Sequence, residues 1–320
     1  MTDTASPLTL VADIGGTNTR VALARGTKLV EGSVKRFLNA DYAGLDTVLR
    51  TYLSATDQAP VGAACVALAG PVRHARGTLT NLDWTVDAET LTHATQARTV
   101  AILNDLQAQG YALGFIAAEN QRLIVDGTPQ AEGEPQLVIG VGTGFNATPV
   151  YQTAAGRFVA PSESGHVNMP IRTEADLRLC HFVETAHGFP AVEDVLSGRG
   201  LERIFAWHAT EDGAPREMMA GDIMAAVAAG DPTATAAART FTRLLGTVAG
   251  NLALGYLPFG GVYLVGGVAR AFSDHLAQYD FAGAFRDKGR FAGFMQNFSV
   301  AVIEDDFAAL TGCAAHMTRR

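Results

Sequence analysis

The first residues that could do chemistry stand at the end of an apolar run. In "LVADIGGTNTR" the run reaches Asp13, then Gly15 and Gly16, then Thr17, Asn18, Thr19 and Arg20. Glycine lets a ligand approach bare peptide amides, and a turn of such amides binds phosphate oxygens. Thr17, Asn18 and Thr19 add donors, and Arg20 would donate as well or support the loop. A carboxylate such as Asp13 suits Mg²⁺ held through water, and phosphoryl transfer needs a cation on the phosphates. A plain Gly-Gly hairpin would need none of these polar neighbours. Two more glycine turns follow apolar runs: Gly142-Thr143-Gly144 in "GVGTGF", and Gly266-Gly267 after "VYLV". No GxxxxGK[ST] occurs, and "GVGTGF" lacks the spacing of GxGxxG. Phosphate would therefore sit on two facing hairpins, with Asp13 near a metal.

A second set of residues suits acid–base work and hydroxyl recognition. Asn104 and Asp105 stand where the run "AILN" meets a helical pattern. Ligands of open α/β sheets gather at such carboxyl ends of strands. Asp105 is either a helix N-cap or a general base for a hydroxyl proton. Glu163 and His166 lie in the loop "PSESGHVNMP", and Glu193 opens the helical stretch "FPAVEDVLSGRGLERIF". Fixed polar groups on a loop suit a polyol, whereas a Glu-x-x-His metal site requires a second such pair. "CHFVETAH" reads as an amphipathic surface helix, because its outer histidines point in different directions.

These residues need an α/β frame. Short apolar runs ("LTLVADI", "TRVALA", "GAACVALAG", "RTVAILND") alternate with helical patterns. In "YAGLDTVLRTYLSA" Tyr42, Leu45, Val48, Leu49 and Leu53 share a face. "LTLVADIGGTNTRVALA" and "PQLVIGVGTGFNATPVY" both read strand, glycine turn, strand, which suggests two related lobes. "GTPQAEGEPQ" is the most loop-like segment, and "VARAFSDHLAQY" reads as a helix. Leu244 to Ala269 carries no charge, yet it holds seven glycines, Asn251 and Pro258. A buried helix to about Leu257, a turn and a buried strand fit it better than a membrane span.

Composition narrows the partners. Net charge is −8, from 32 acids and 24 bases, which argues against nucleic acid or an anionic membrane. Cys65, Cys180 and Cys313 form no CxxC, so neither a disulfide framework nor a cysteine-rich zinc site is expected. The first residues show no signal-peptide pattern, and a reducing, cytoplasmic setting is the expectation.

Taken together, "DIGGTNTR", "ALAGPV", "TNLDW", "ILNDLQA", "GVGTGFN", "SESGHV", "EDVLSGRGL", "GNLALGYLPFGGVYLVGGVAR" and "FRDKGRF" resemble, in order, the landmarks of the bacterial glucokinase family. That family is in the hexokinase branch of the actin-like, ribonuclease-H-like ATPases. The resemblance implies an α/β fold of two actin-like lobes, mixed central sheets flanked by helices, with a cleft between them. It implies a small domain of residues 1–114 plus 303–320 and a large domain of residues 115–302. The expected activity is transfer of the ATP γ-phosphate to the 6-hydroxyl of glucose, with Mg²⁺. By match, Asp105 would be the base, and Asn81, Asn104, Glu163, His166 and Glu193 would hold the sugar. Asp13, Gly15, Gly16, Thr17, Asn18, Gly142, Thr143 and Gly144 would hold the phosphates, with Gly266 and Gly267 in the adenosine loop. A homodimer is the family expectation.

This sequence departs from the family pattern at Phe145, Asn146, Ser162, Ser164 and Asn168, all beside the second hairpin or the sugar loop. Related kinases act on fructose, mannose or amino sugars and form the alternative reading. The zinc-bearing relatives carry clustered cysteines after a histidine, and here Cys180 stands alone after His166. A sugar-sensing repressor would need a helix-turn-helix before the first strand. A chaperone-type ATPase would leave Asn104, Asp105, Glu163 and His166 without a purpose.

Overall fold

A computed structural model describes residues 7–56, 60–79, 82–128 and 131–318. The chain divides into two compact units, Met1–Ala117 with Ala154–Val159 and Asp305–Arg320, and Ala118–Thr153 with Ala160–Glu304.

The first unit is built on a six-stranded mixed sheet. Leu8–Ile14 pairs antiparallel with Asn18–Arg25 across the glycine turn, and parallel with Ala63–Leu68. Ala63–Leu68 in turn pairs parallel with Thr99–Asn104. Lys28–Leu29 and Lys35–Leu38 both add to Asn18–Arg25. Leu10, Ile14, Val21, Leu23 and Val66 form the core with Val48, Leu49 and Tyr52 of the helix Leu45–Ser54. The predicted helical face is present in its middle, where Leu45, Val48 and Leu49 are buried. Tyr42 lies outside the helix, edge-on to Phe37. The helix Ala308–Met317 returns late in the chain to pack on Leu8–Ile14, Ala63–Leu68 and the helix Asp105–Ala112.

The second unit repeats the plan. Gln136–Val141 pairs antiparallel with Phe145–Thr153 across the second glycine turn, and parallel with Val262–Val265. Val300–Ile303 continues the parallel run, and Gln121–Val125 closes it antiparallel. The uncharged stretch resolves as read from the sequence. A long helix, Pro232–Tyr256, starts on an Asp231 cap with Pro232 in its first turn and ends at Leu257, whose φ is 48°. After Pro258 the chain turns into the buried strand Val262–Val265. No described helix is long and apolar enough to cross a membrane.

Two expectations of continuous helix do not hold. The stretch after Phe189 breaks into Val192–Val195 and Gly198–Glu211, because Ser197 leaves the helix to accept from the amide of Gly200 at 3.0 Å and cap the second segment. "VARAFSDHLAQY" forms Gly267–Ala271 and Ser273–Gln278, joined at the fully buried Phe272. Cys65, Cys180 and Cys313 are all buried free thiols.

Candidate active site

In the first unit the register brings the chemistry to one edge of the sheet. Ile14 lies opposite Leu68, and Leu68 opposite Asn104, so three parallel strands end level. The glycine turn, residue 70 and Asn104-Asp105 follow those ends directly. Asp13 and the end of the third strand are two strand spacings apart, about 10 Å, room enough for a phosphate and an acceptor side by side.

The first turn is closed by the amide of Gly15 donating to the Asn18 carbonyl at 3.0 Å. Its orientation is set from outside. Asn39, 2% exposed, donates from Nδ2 to the carbonyls of Gly15 (2.8 Å) and Gly16 (3.3 Å). Its Oδ1 accepts from the Thr19 hydroxyl at 2.8 Å, and its own amide donates to the Thr17 carbonyl at 2.9 Å. With the carbonyls tied back, the amides of Gly16 and Thr17 donate to nothing among the described residues. They border a cavity of about 250 Å³ shared with Asp13, Asn18, Arg20 and Arg36.

Asp13 lies opposite Arg20 in the strand pair, with 3.9 Å between Oδ2 and Nη1. Burial pushes the Asp13 carboxyl above its usual range, and Arg20 partly opposes that rise. Arg20 also donates to the Asp306 carbonyl at 3.2 Å. Among the described residues no three metal-ligating side chains cluster. One carboxylate beside open amides fits Mg²⁺, which keeps several waters and takes its other oxygens from phosphate.

Asn104, not Asp105, is the helix N-cap. Its Oδ1 accepts from the amide of Leu106 at 3.0 Å, and its Nδ2 donates to the Gly70 carbonyl at 3.0 Å. Gln107 completes a capping box with the Asn104 amide at 3.2 Å. Asp105 sits at the first helical position, where Oδ1 also accepts from Leu106 at 2.8 Å. Asn81 lies outside the described residues.

The second unit gathers its own set. The turn at Gly142 is closed by its amide donating to the Gly144 carbonyl, and the amide of Gly198 donates to the Gly142 carbonyl, each at 2.9 Å. Glu193 Oε2 accepts from the amide of Phe145 at 2.8 Å. The amides of Thr143 and Gly144 have no acceptor among the described residues. Gly140 pairs with Val265, so Gly266 emerges beside this turn. Its φ is 104°, and a Cβ there would lie 2.4 Å from the Val141 carbonyl oxygen, so only glycine fits.

Glu163 precedes and His166 ends a short 3-10 turn, Ser164–His166, with their side chains exposed and unpartnered among the described residues. That loop is fastened to the second hairpin. Asn146 Oδ1 accepts from the Ser164 amide (3.0 Å) and hydroxyl (3.2 Å), and Nδ2 donates to the Ser162 carbonyl at 2.5 Å. The Ala147 amide donates to Ser164 Oγ at 2.8 Å. Gly165 packs so closely that a Cβ would come within 2.0 Å of the Phe145 carbonyl oxygen. Asn168 makes an isolated bridge to Ala191, which joins the same loop to the Glu193 segment.

The glucokinase family profile matches residues 10–320. A curated glucokinase of Marinobacter nauticus is 33% identical over 97% of both chains. The crystal structure of a glucokinase from an Antarctic psychrotroph superposes with a TM-score of 0.88 at 29% identity, covering 98% of this chain and 99% of that one. That of a Balamuthia mandrillaris glucokinase, solved with glucose, gives 0.82 at 20% identity over 99% and 96%, a likeness of fold.

The chain belongs to the glucokinase family. As a member it is an ATP-dependent hexose kinase of actin-like fold, as the order of its motifs implied. Against the glucokinase motifs, sequence reasoning missed Asn39 and Arg36. Both lie on or just after the edge strand Lys35–Leu38, whose Lys-Arg pair reads as an ordinary solvated face and which holds no glycine. The signal available was a cation in a short strand that follows the first glycine hairpin, and an amide side chain just after that strand. The sequence reading also did not foresee that Glu193 supports the second hairpin, since their contact spans 48 residues.

Proposed function

We propose that the chain transfers the γ-phosphate of ATP to the 6-hydroxyl of glucose. Asp105 is the general base, beside the capped end of its strand, and contributes roughly 10²–10⁴-fold to turnover. The open amides of Gly16 and Thr17, with Thr17 and Asn18, take phosphate oxygens in the first unit; those of Thr143 and Gly144 do so in the second. Asp13 would hold Mg²⁺ through water, and the bound cation neutralises charge on the phosphates. Gly266 and Gly267 line the adenosine loop. Glu163, His166, Glu193, Asn104 and Asn81 recognise the sugar hydroxyls; Asn104 is held by backbone bonds at both its polar atoms and Glu193 at one, which fixes each group in place. A site built to bond hydroxyls rejects analogues that lack them, because its own groups are left unpaired.

What supports this reading is the pair of glycine hairpins whose amides have no acceptor among the described residues, each close to carboxylate or amide side chains. An ADP-coupled assay with Mg-ATP and glucose, mannose, fructose, glucosamine and N-acetylglucosamine tests it. Glucose is expected to give the highest kcat/KM. A higher value for another sugar moves the assignment to that hexose, and no turnover with any of them removes it. The same reading makes the protein a cytoplasmic homodimer, which sedimentation at micromolar concentration checks.

A further inference from the structure

We propose that Arg36 is a further phosphate-binding residue, closing the cavity of the first hairpin over the nucleotide's terminal phosphate; the nucleotide part of this rests on the kinase reading above. Arg36 lines the 250 Å³ cavity together with Asp13, Gly16, Thr17 and Arg20. In the pairing of Asn18–Arg25 with Lys35–Leu38 it lies directly opposite Arg20, on the same face of the sheet. Like charges placed directly across a strand pair repel each other and destabilise it. Arg20 is compensated by Asp13 and by the Asp306 carbonyl. Arg36 makes no ion pair or hydrogen bond among the described residues, and its side chain is exposed.

The cavity thus holds two guanidinium groups against one carboxylate. It is also bordered by two peptide amides without acceptors among the described residues. Each feature favours the same kind of occupant, a compact anion with several oxygens. A phosphate between Arg20 and Arg36 would turn their repulsion into two attractions, and a guanidinium can take two phosphate oxygens at once. A plain solvated charge is the other role for a cation on an edge strand, and it requires neither the cavity nor the amides.

The test uses the full chain with Arg36→Gln and Arg36→Lys. First, calorimetric binding of pyrophosphate and of ADP is measured in Mg²⁺ buffer without sugar. Arg36→Gln is expected to weaken both about tenfold, the scale of one charged hydrogen-bonding contact, and Arg36→Lys to recover part of the loss. Second, KM for ATP is measured against KCl concentration. The wild type is expected to lose affinity more steeply with salt than Arg36→Gln, because screening weakens the contact that the variant lacks. KM for glucose and the melting temperature are expected to stay within about twofold and about a degree.

Unchanged binding of both ligands together with an unchanged salt slope would overturn the proposal and leave Arg36 a solvated edge charge. A lower melting temperature with unaltered binding would overturn it in favour of a structural role. If the wild type phosphorylates no sugar, the kinase reading fails, while weaker pyrophosphate binding by Arg36→Gln still upholds the phosphate site.

Discussion

The two glycine hairpins present open amides at the ends of their sheets but are held in different ways. The first is gripped by a single buried side chain, Asn39, which comes from beyond the hairpin and touches only the turn and its strand. The second is gripped by Glu193 and, through Asn146, is bonded to the loop that carries Glu163 and His166. Under the proposed function the first support serves phosphate alone, whereas the second fixes the proposed phosphate amides and the proposed sugar residues as one piece. An amide that already points outward needs little reorganisation when charge arrives, which is how preorganised donors stabilise a transferring phosphoryl group. The difference predicts that damage to the first support appears in nucleotide binding alone, and damage to the second in sugar binding as well.

The largest expected effect tests whether the chemistry lies on the first hairpin's edge. Asp105→Asn should cut kcat at least about 10²-fold, with the melting temperature unchanged. Near-normal turnover would take the base away from that edge. Next is Gly165→Ala, which places a methyl group 2.0 Å from the Phe145 carbonyl oxygen. Urea unfolding should show a loss of about 2–3 kcal/mol, with KM for glucose rising more than KM for ATP. A rise in KM for ATP alone would mean that the loop and the hairpin are not held as one piece.

Asn39→Ala removes the donor of two carbonyl contacts in a buried site and should cost about 1–3 kcal/mol in the same measurement. KM for ATP should rise several-fold and KM for glucose hold. A glucose effect as large as the ATP effect would erase the contrast between the hairpins. Asn146→Ala should cost about 1 kcal/mol or less, because its partners are half exposed, and should raise KM for glucose. Amide exchange across residues 162–168 should quicken in that variant, and unchanged exchange would mean that the amide bonds do not hold the loop.

The smallest effect has the opposite sign. Because burial raises the Asp13 carboxyl, the folded protein binds that proton more tightly than the unfolded chain does. Stability then falls as pH rises from the ordinary carboxylate range through the raised native value. Asp13→Asn lacks this loss, so it should melt above the wild type at neutral pH, with the gap closing near about pH 4, while its turnover drops. A variant that melts lower at neutral pH would mean that the Arg20 pair outweighs the burial.

Much of this was legible in residue order. Both hairpins, the helix–turn–strand around Pro258 and the strand end at Asn104 follow from patterns a few residues long, and the structure has them at those positions. The helix breaks at Ser197 and Phe272 were not legible, since a cap and a buried ring overrode continuous helical spacing. Nor did the sequence assign the cap before Leu106 to Asn104, because Asn104 and Asp105 are equally good candidates by type.

The amino-acid order by itself determined where strands stop and bare amides begin, since periodicity and glycine act over neighbouring residues. Tertiary structure alone decided which way those amides face. Asn39 reaches back 24 residues to Gly15, and Glu193 reaches back 48 to Phe145. A hydrogen bond between distant positions leaves no periodic trace in the chain, and it exists only once the segment that carries the supporting side chain has packed beside its turn.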